Sequence, residues 1–328
     1  MYSRMVVPLD GSDFGEHAIT AAAAIARRAG AEIELVHVHQ PHYAEPYLGD
    51  ITAYQFQDES LWQARYDRAR LDDERASLHA RAERMTSEDG IRATARVLEG
   101  GVPSALRREV EQLEADLVVM ATHARHGVSR WRYGSMGDAF VRGSNVPTLL
   151  VRPSDPVAIQ PREFHRILVA LDGSAFSEEI LDPALRLADL LDAEVTLLHV
   201  VTPPGHAASR TDQRADRSIA HLRADSDAYL RSASDRFATP RNSVSFRTAI
   251  ADRAAPSIAE IALTLRCDMI ALATHGRGGV SRLLLGSTAD QLLGMTWTPI
   301  LALRPKQLRS VTHSLDDFSG MEHPGLVV

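Results

Sequence analysis

Ala273-Thr-His-Gly-Arg-Gly-Gly-Val-Ser-Arg-Leu-Leu-Leu-Gly-Ser287 is the stretch that decides how this chain is read. An apolar run from Cys267 to Ala273 leads into it and reads as a buried parallel strand. Glycines then cluster at Gly276, Gly278 and Gly279, where the backbone can turn tightly or approach a ligand closely. Gly286-Ser287 follows, with Thr288-Ala-Asp-Gln-Leu-Leu reading as the start of a helix. Backbone N–H groups without partners at a helix N-terminus suit an anion, most often a phosphate. The glycines alone fit a surface loop that uses them only for turns equally well.

The same stretch occurs earlier as Ala121-Thr-His-Ala-Arg-His-Gly-Val-Ser-Arg-Trp-Arg-Tyr-Gly-Ser135, with Ala124 in place of Gly276. Other segments repeat in the same order. Val7-Pro-Leu-Asp-Gly-Ser12 answers Val169-Ala-Leu-Asp-Gly-Ser174, and Leu35-Val-His-Val38 answers Leu197-Leu-His-Val200. Val146-Pro-Thr-Leu-Leu-Val-Arg-Pro153 answers Thr298-Pro-Ile-Leu-Ala-Leu-Arg-Pro305. The chain is an internal duplication, with a period of about one domain length. The expected division is 1–153, a linker 154–163, 164–305 and a tail 306–328.

At 328 residues two domains with sizeable cores fit. A net charge of −7 argues against a general nucleic-acid binder, whose footprint is basic. No apolar run approaches a membrane span, and the N-terminus lacks the apolar core of a secretory signal. The single cysteine, Cys267, rules out an internal disulfide framework and reads as core packing rather than a nucleophile. A reducing cytoplasm is the simplest setting. Lys306 is the only lysine, so a P-loop of the G-x-x-x-x-G-K-[ST] type is excluded. A nucleotide would have to be held by backbone amides and arginine.

Strands are expected at 4–9, 32–38, 91–98, 116–121 and 148–151, and again at 165–170, 194–200, 243–249, 268–273 and 299–303. Helices are expected at 14–29, 61–84 and 103–113, then 176–191, about 211–237, 256–265 and 287–294. Residues 40–54 read as a surface excursion. Strands alternating with helices give a Rossmann-like α/β fold, a doubly wound parallel five-stranded sheet in each half. Ligands bind such sheets beyond the carboxyl ends of strands, where the strand order switches. Asp10, Asp172 and both glycine loops fall there, although each aspartate also fits a simple D-G-S turn cap.

These residues resemble the universal stress protein family in its tandem two-domain form, whose fold is of the adenine nucleotide α-hydrolase type. The likeness covers nearly the whole chain. The family signature is G-x2-G-x9-G-[ST] after a strand, with an aspartate ending the first strand. The second half offers Ala273-x2-Gly276-x9-Gly286-Ser287, and the first Ala121-x2-Ala124-x9-Gly134-Ser135.

The resemblance implies ATP, or AMP or ADP, with Mg²⁺ as a companion ion. It implies Asp172 on the ribose, Ala170 and Val200 around the adenine, Leu171 as a further binding residue, and Ala273, Gly276, Arg277, Gly286, Ser287 and Thr288 at the phosphates. The first-half counterparts are Pro8, Leu9, Asp10, Val38, Ala121, Arg125, Gly134, Ser135 and Met136. No ligand lies at metal spacing from His37, His123, His199 or His275, which read as structural. No Ser-His-Asp ordering or paired-carboxylate site stands out.

The expected role is a cytoplasmic stress-responsive sensor or regulator rather than a fast enzyme. The alternatives are a non-nucleotide interaction protein, with a protein partner of unknown identity, or a weak ATPase. The last strands are short, apolar and at sheet edges, so they need covering, and the resemblance implies that they pair antiparallel, here within the chain. That makes an intramolecular pseudo-dimer, with a homodimer as a further step.

Overall fold

The computed structural model describes residues 2–40, 53–122, 135–152, 163–203, 213–237, 244–274 and 287–305. The first half runs β1 (Arg4–Leu9), α1 (Gly15–Ala29), β2 (Glu32–His39), α2 (Ala53–Ser87), β3 (Ala93–Glu99), α3 (Val102–Gln112), β4 (Leu117–Ala121), α4 (Ser135–Gly143) and β5 (Thr148–Val151). The second runs β6 (Arg166–Leu171), α5 (Ala175–Glu178), α6 (Leu181–Leu191), β7 (Glu194–Val201), α7 (Gln213–Phe237), β8 (Val244–Ile250), α8 (Ala254–Thr264), β9 (Met269–Ala273), α9 (Ser287–Met295) and β10 (Ile300–Leu303).

The ten strands form one sheet in the order β3-β2-β1-β4-β5-β10-β9-β6-β7-β8. Each half is parallel, and the halves meet through β5 and β10, which pair antiparallel with Leu149 opposite Leu301. Two five-stranded sheets therefore become one continuous sheet, and neither last strand keeps an open edge.

Burial on both faces explains why central strands such as β4, β5, β9 and β10 read as continuous apolar runs. Alternate residues point to opposite sides, so Met5 and Val7 join one core while Val6 joins the other. The first core packs Ile25, Leu78 and Met85 of α1 and α2 together with Leu181 and Leu187 of α6. The second packs Leu106 and Phe140 of α3 and α4 together with Ile258 and Leu292 of α8 and α9. Each core runs through both halves. The Tyr2 hydroxyl adds a link by donating to the Pro183 carbonyl at 2.8 Å.

Two elements differ from the sequence expectation by more than two residues at an end or by a break. The helix expected at 176–191 breaks after Glu178 and restarts at Leu181. Pro183 has no N–H to give a preceding turn, and the restart places it in a first turn, where none is needed. Its counterpart in the repeat is Ala21, and α1 is unbroken there. The helix expected at 61–84 is longer, Ala53–Ser87, so residues 53 and 54 belong to it rather than to the surface excursion. Residues 41–52 of that excursion lie outside the described residues.

Candidate functional site

In the first half the chain passes from β1 outward to β2 and β3, then returns to β4 on the other side of β1. In the second it does the same with β6, β7 and β9. The carboxyl ends of β1 and β6 are thus the two switch points, where neighbouring connections part and leave a crevice.

Asp172 follows β6 there. Its Oδ1 accepts hydrogen bonds from the Ser174 N–H at 2.9 Å and the Ser174 hydroxyl at 2.6 Å, closing an Asx turn through Gly173 at φ 80°. The turn is locked further by Ser177. Its hydroxyl accepts from the Asp172 N–H at 3.2 Å, and its own N–H donates to the Ser174 hydroxyl at 3.2 Å, capping α5. Asp10 makes the same turn, accepting from the Ser12 N–H at 3.0 Å and hydroxyl at 2.6 Å around Gly11 at φ 80°. The D-G-S cap is therefore real in both halves. It fixes where each carboxylate sits.

The sheet register brings the other expected residues of the strand ends together. Leu171 is level with His199, so Asp172 comes beside Val200, and Ala170 is level with Leu272, one residue before Ala273. In the first half Leu9 is level with His37, which sets Asp10 beside Val38. Leu171 and Val38 are buried, whereas Pro8, Leu9, Ala121, Ala170, Val200 and Ala273 are part-exposed. Ser287 and Thr288 open α9, and Ser135 and Met136 open α4. Ala124, Arg125, Gly134, Gly276, Arg277 and Gly286 lie outside the described residues, as do His123 and His275.

Polar groups that the sequence reading did not connect stand just behind these ends. His37 donates from Nδ1 to the Leu9 carbonyl at 2.9 Å, and its Nε2 is 3.5 Å from Glu74 Oε2. His39 donates from Nδ1 to the same Oε2 at 2.7 Å, and Arg70 Nε donates to Oε1 at 3.0 Å. Burial works to raise the Glu74 pKa. The His39 hydrogen bond, the His37 charge and the Arg70 hydrogen bond outweigh it and hold the carboxyl below its ordinary range. Strand spacing is the signal that could have found this cluster, since His37 and His39, two residues apart, share a face.

The second half builds its counterpart around hydroxyl groups. His199 Nδ1 is 2.9 Å from the Ser226 hydroxyl, which bonds Thr248 at 2.8 Å, and Tyr229 stacks edge-on at 5.6 Å. Burial, with help from Glu178 and Asp172, pushes the Tyr229 phenol far above its usual value, so it stays neutral. His37 and His199 are thus hydrogen-bonded parts of the fold. Among the described residues no group of three His, Cys, Asp or Glu side chains is arranged to hold a metal ion.

A sequence model of the universal stress protein family matches residues 1–152 and again 163–304. The chain belongs to the universal stress protein family. A universal stress protein of Mycobacterium tuberculosis is 28% identical over 197 residues, which are 58% of this chain and 62% of that relative. A second universal stress protein of the same organism is 23% identical over 314 residues, 92% of this chain and 96% of that one. The chain thus spans under two thirds of the first relative and nearly all of the second.

Among solved structures, a universal stress protein from Archaeoglobus fulgidus superposes with a TM-score of 0.61 at 17% identity. The match covers 93% of this chain and 99% of that one. That likeness concerns the fold. Among the described residues of this universal stress protein, no helix is long and apolar enough to cross a membrane.

Proposed function

We propose that this universal stress protein binds ATP or a related adenine nucleotide and acts through it as a stress-responsive sensor or regulator. One observation carries the reading. Asp172, Val200 and Ala273 lie at the carboxyl ends of three adjacent strands at the switch point, and α9 opens at Ser287 after the glycine-bearing loop. In the complex the Asp172 carboxylate accepts ribose hydroxyls. The Val200 backbone reads the adenine edge. The phosphates lie against the amides that open α9, with Arg277 and a companion Mg²⁺ balancing their charge.

The first half supports a weaker site. Asp10, Arg125, Gly134 and Ser135 are kept, but Ala124 stands where the second half has Gly276. Where a loop turns through positive φ, alanine costs about 1–2 kcal/mol relative to glycine. That corresponds to roughly five- to thirty-fold in affinity.

Mass spectrometry of small molecules released by denaturing the freshly purified chain tests the reading. An adenine nucleotide in the released fraction, or saturable uptake of added ATP by protein that released none, supports it. Neither release nor uptake overturns it in favour of a nucleotide-free interaction protein.

A further inference from the structure

Arg152 follows β5 in the first half and is only 7% exposed. Its Nη1 donates to the carbonyls of Leu293 and Gly294, at 3.0 and 3.1 Å, across the junction in the second half. Both carbonyls belong to the last turn of α9, where no further helical amide is available to them. The guanidinium also lies 3.9 Å from the ring centroid of Trp297, just past that helix end.

Arg304 follows β10 in the second half and donates through Nη1 to the Arg142 carbonyl, in the last turn of α4. Arg152 and Arg304 are equivalent in the repeat, and so are Gly294 and Arg142. The same cap is therefore made twice, in opposite directions. A cation at this end also opposes the negative pole of the helix.

The two helices so held are the ones that open at the candidate phosphate loops, at Ser287 and Ser135. Each has nine residues, too few to be stable alone, so its placement depends on what grips its ends. We propose that Arg152 and Arg304 are positioning residues for the ligand site of the opposite half. Arg152 fixes α9 and with it the phosphate end of the second site, and Arg304 does the same for α4 and the first. Each site is then complete only with an arginine from the other half. The grip on α9 is the firmer one, because Trp297 stands where the first half has Asn145 and adds a stacking partner. The effect on ligand affinity rests on the nucleotide reading above, whereas the hold on the helices does not.

The test uses the intact chain with Arg152→Ala, Arg304→Ala and the corresponding lysine variants. Amide hydrogen exchange, measured without nucleotide, should rise about five-fold or more along 287–295 in Arg152→Ala, and along 135–143 in Arg304→Ala, each without the other. Lysine, which caps carbonyls but stacks poorly, should give an intermediate effect. In an Asp10→Ala background, which isolates the second site, Arg152→Ala should weaken ATP binding about five-fold while Arg304→Ala leaves it unchanged.

Should Arg152→Ala fail to fold, Arg152→Lys and Trp297→Ala carry the same comparison. Exchange that rises in both helices alike, in the helix of the mutated half, or in neither would overturn the proposal. Crossed exchange with equal ATP affinity in both variants would also overturn it. A chain that takes up no ATP at all defeats the nucleotide reading, and with it the claim about the sites, while the exchange data still decide whether the crossed caps hold the helices.

Discussion

Leu149 of β5 stands opposite Leu301 of β10, and both side chains are fully buried where the two halves meet. The first core, to which both belong, runs without interruption from β1 to β9. Leu149→Ala should therefore cost about 2–5 kcal/mol. It should shift one urea transition, monitored by circular dichroism and tryptophan fluorescence together, rather than that of one half. Two separate transitions, only one of them moved, would show that the halves unfold independently.

Glu74 gives the fold a defined acid limb. Its carboxyl is held below the ordinary range, so its contribution is fully present above the unfolded glutamate value of about 4.3 and is lost as pH falls through the lower folded value. Glu74→Gln should lower the urea midpoint at neutral pH and flatten its decline on the acid side. Glu109 works in the other sense. Burial raises its pKa, against the pull of Arg96, so its contribution is lost as pH rises through the folded value. An unchanged acid slope in Glu74→Gln would show that the histidine contacts do not bias Glu74.

Much of this molecule was legible in the sequence because duplication prints every signal twice. The D-G-S turns and the succession of strands along the chain followed from repeated local patterns, and the pairing of the last strands from the family resemblance. Non-local consequences of single residues were less legible. Pro183 breaks a helix that its counterpart Ala21 leaves whole, and Glu74 meets His37 and His39 only because α2 packs on β2. Arg152 and Arg304 were visible as a repeated pair, but nothing local says that each reaches a helix of the other half. The glycine loops at 123–134 and 275–286 were the strongest functional signal, and they lie outside the described residues.

Cys267 should be inert. Burial chiefly, reinforced by Asp268 and offset in part by Arg166, pushes its thiol up to about 11, and the thiolate is the reactive form. Reaction with a disulfide reagent at mildly alkaline pH should run at least about ten-fold slower than with free cysteine. A rate equal to that of free cysteine would mark the thiol as exposed and activated.

Asp192 closes α6 in the left-handed region at φ 56°, where the first half uses Gly30 at φ 65° for α1. Asp192→Gly should stabilise the chain by about 0.5–1 kcal/mol, the relief of strain less the entropy glycine loses on folding. Thermal or urea denaturation checks it, and a loss of stability would mean that the aspartate side chain is itself a necessary cap.

Calorimetric titration of ATP into the intact chain and its Asp172→Ala and Asp10→Ala variants bears most directly on the nucleotide assignment. The expected result is binding dominated by the second site. Asp172→Ala should remove most of it, and Asp10→Ala should leave the tighter phase intact. Binding that survives Asp172→Ala and disappears in Asp10→Ala would contradict the assignment of the sites, and no binding in the intact chain would contradict the assignment of the ligand.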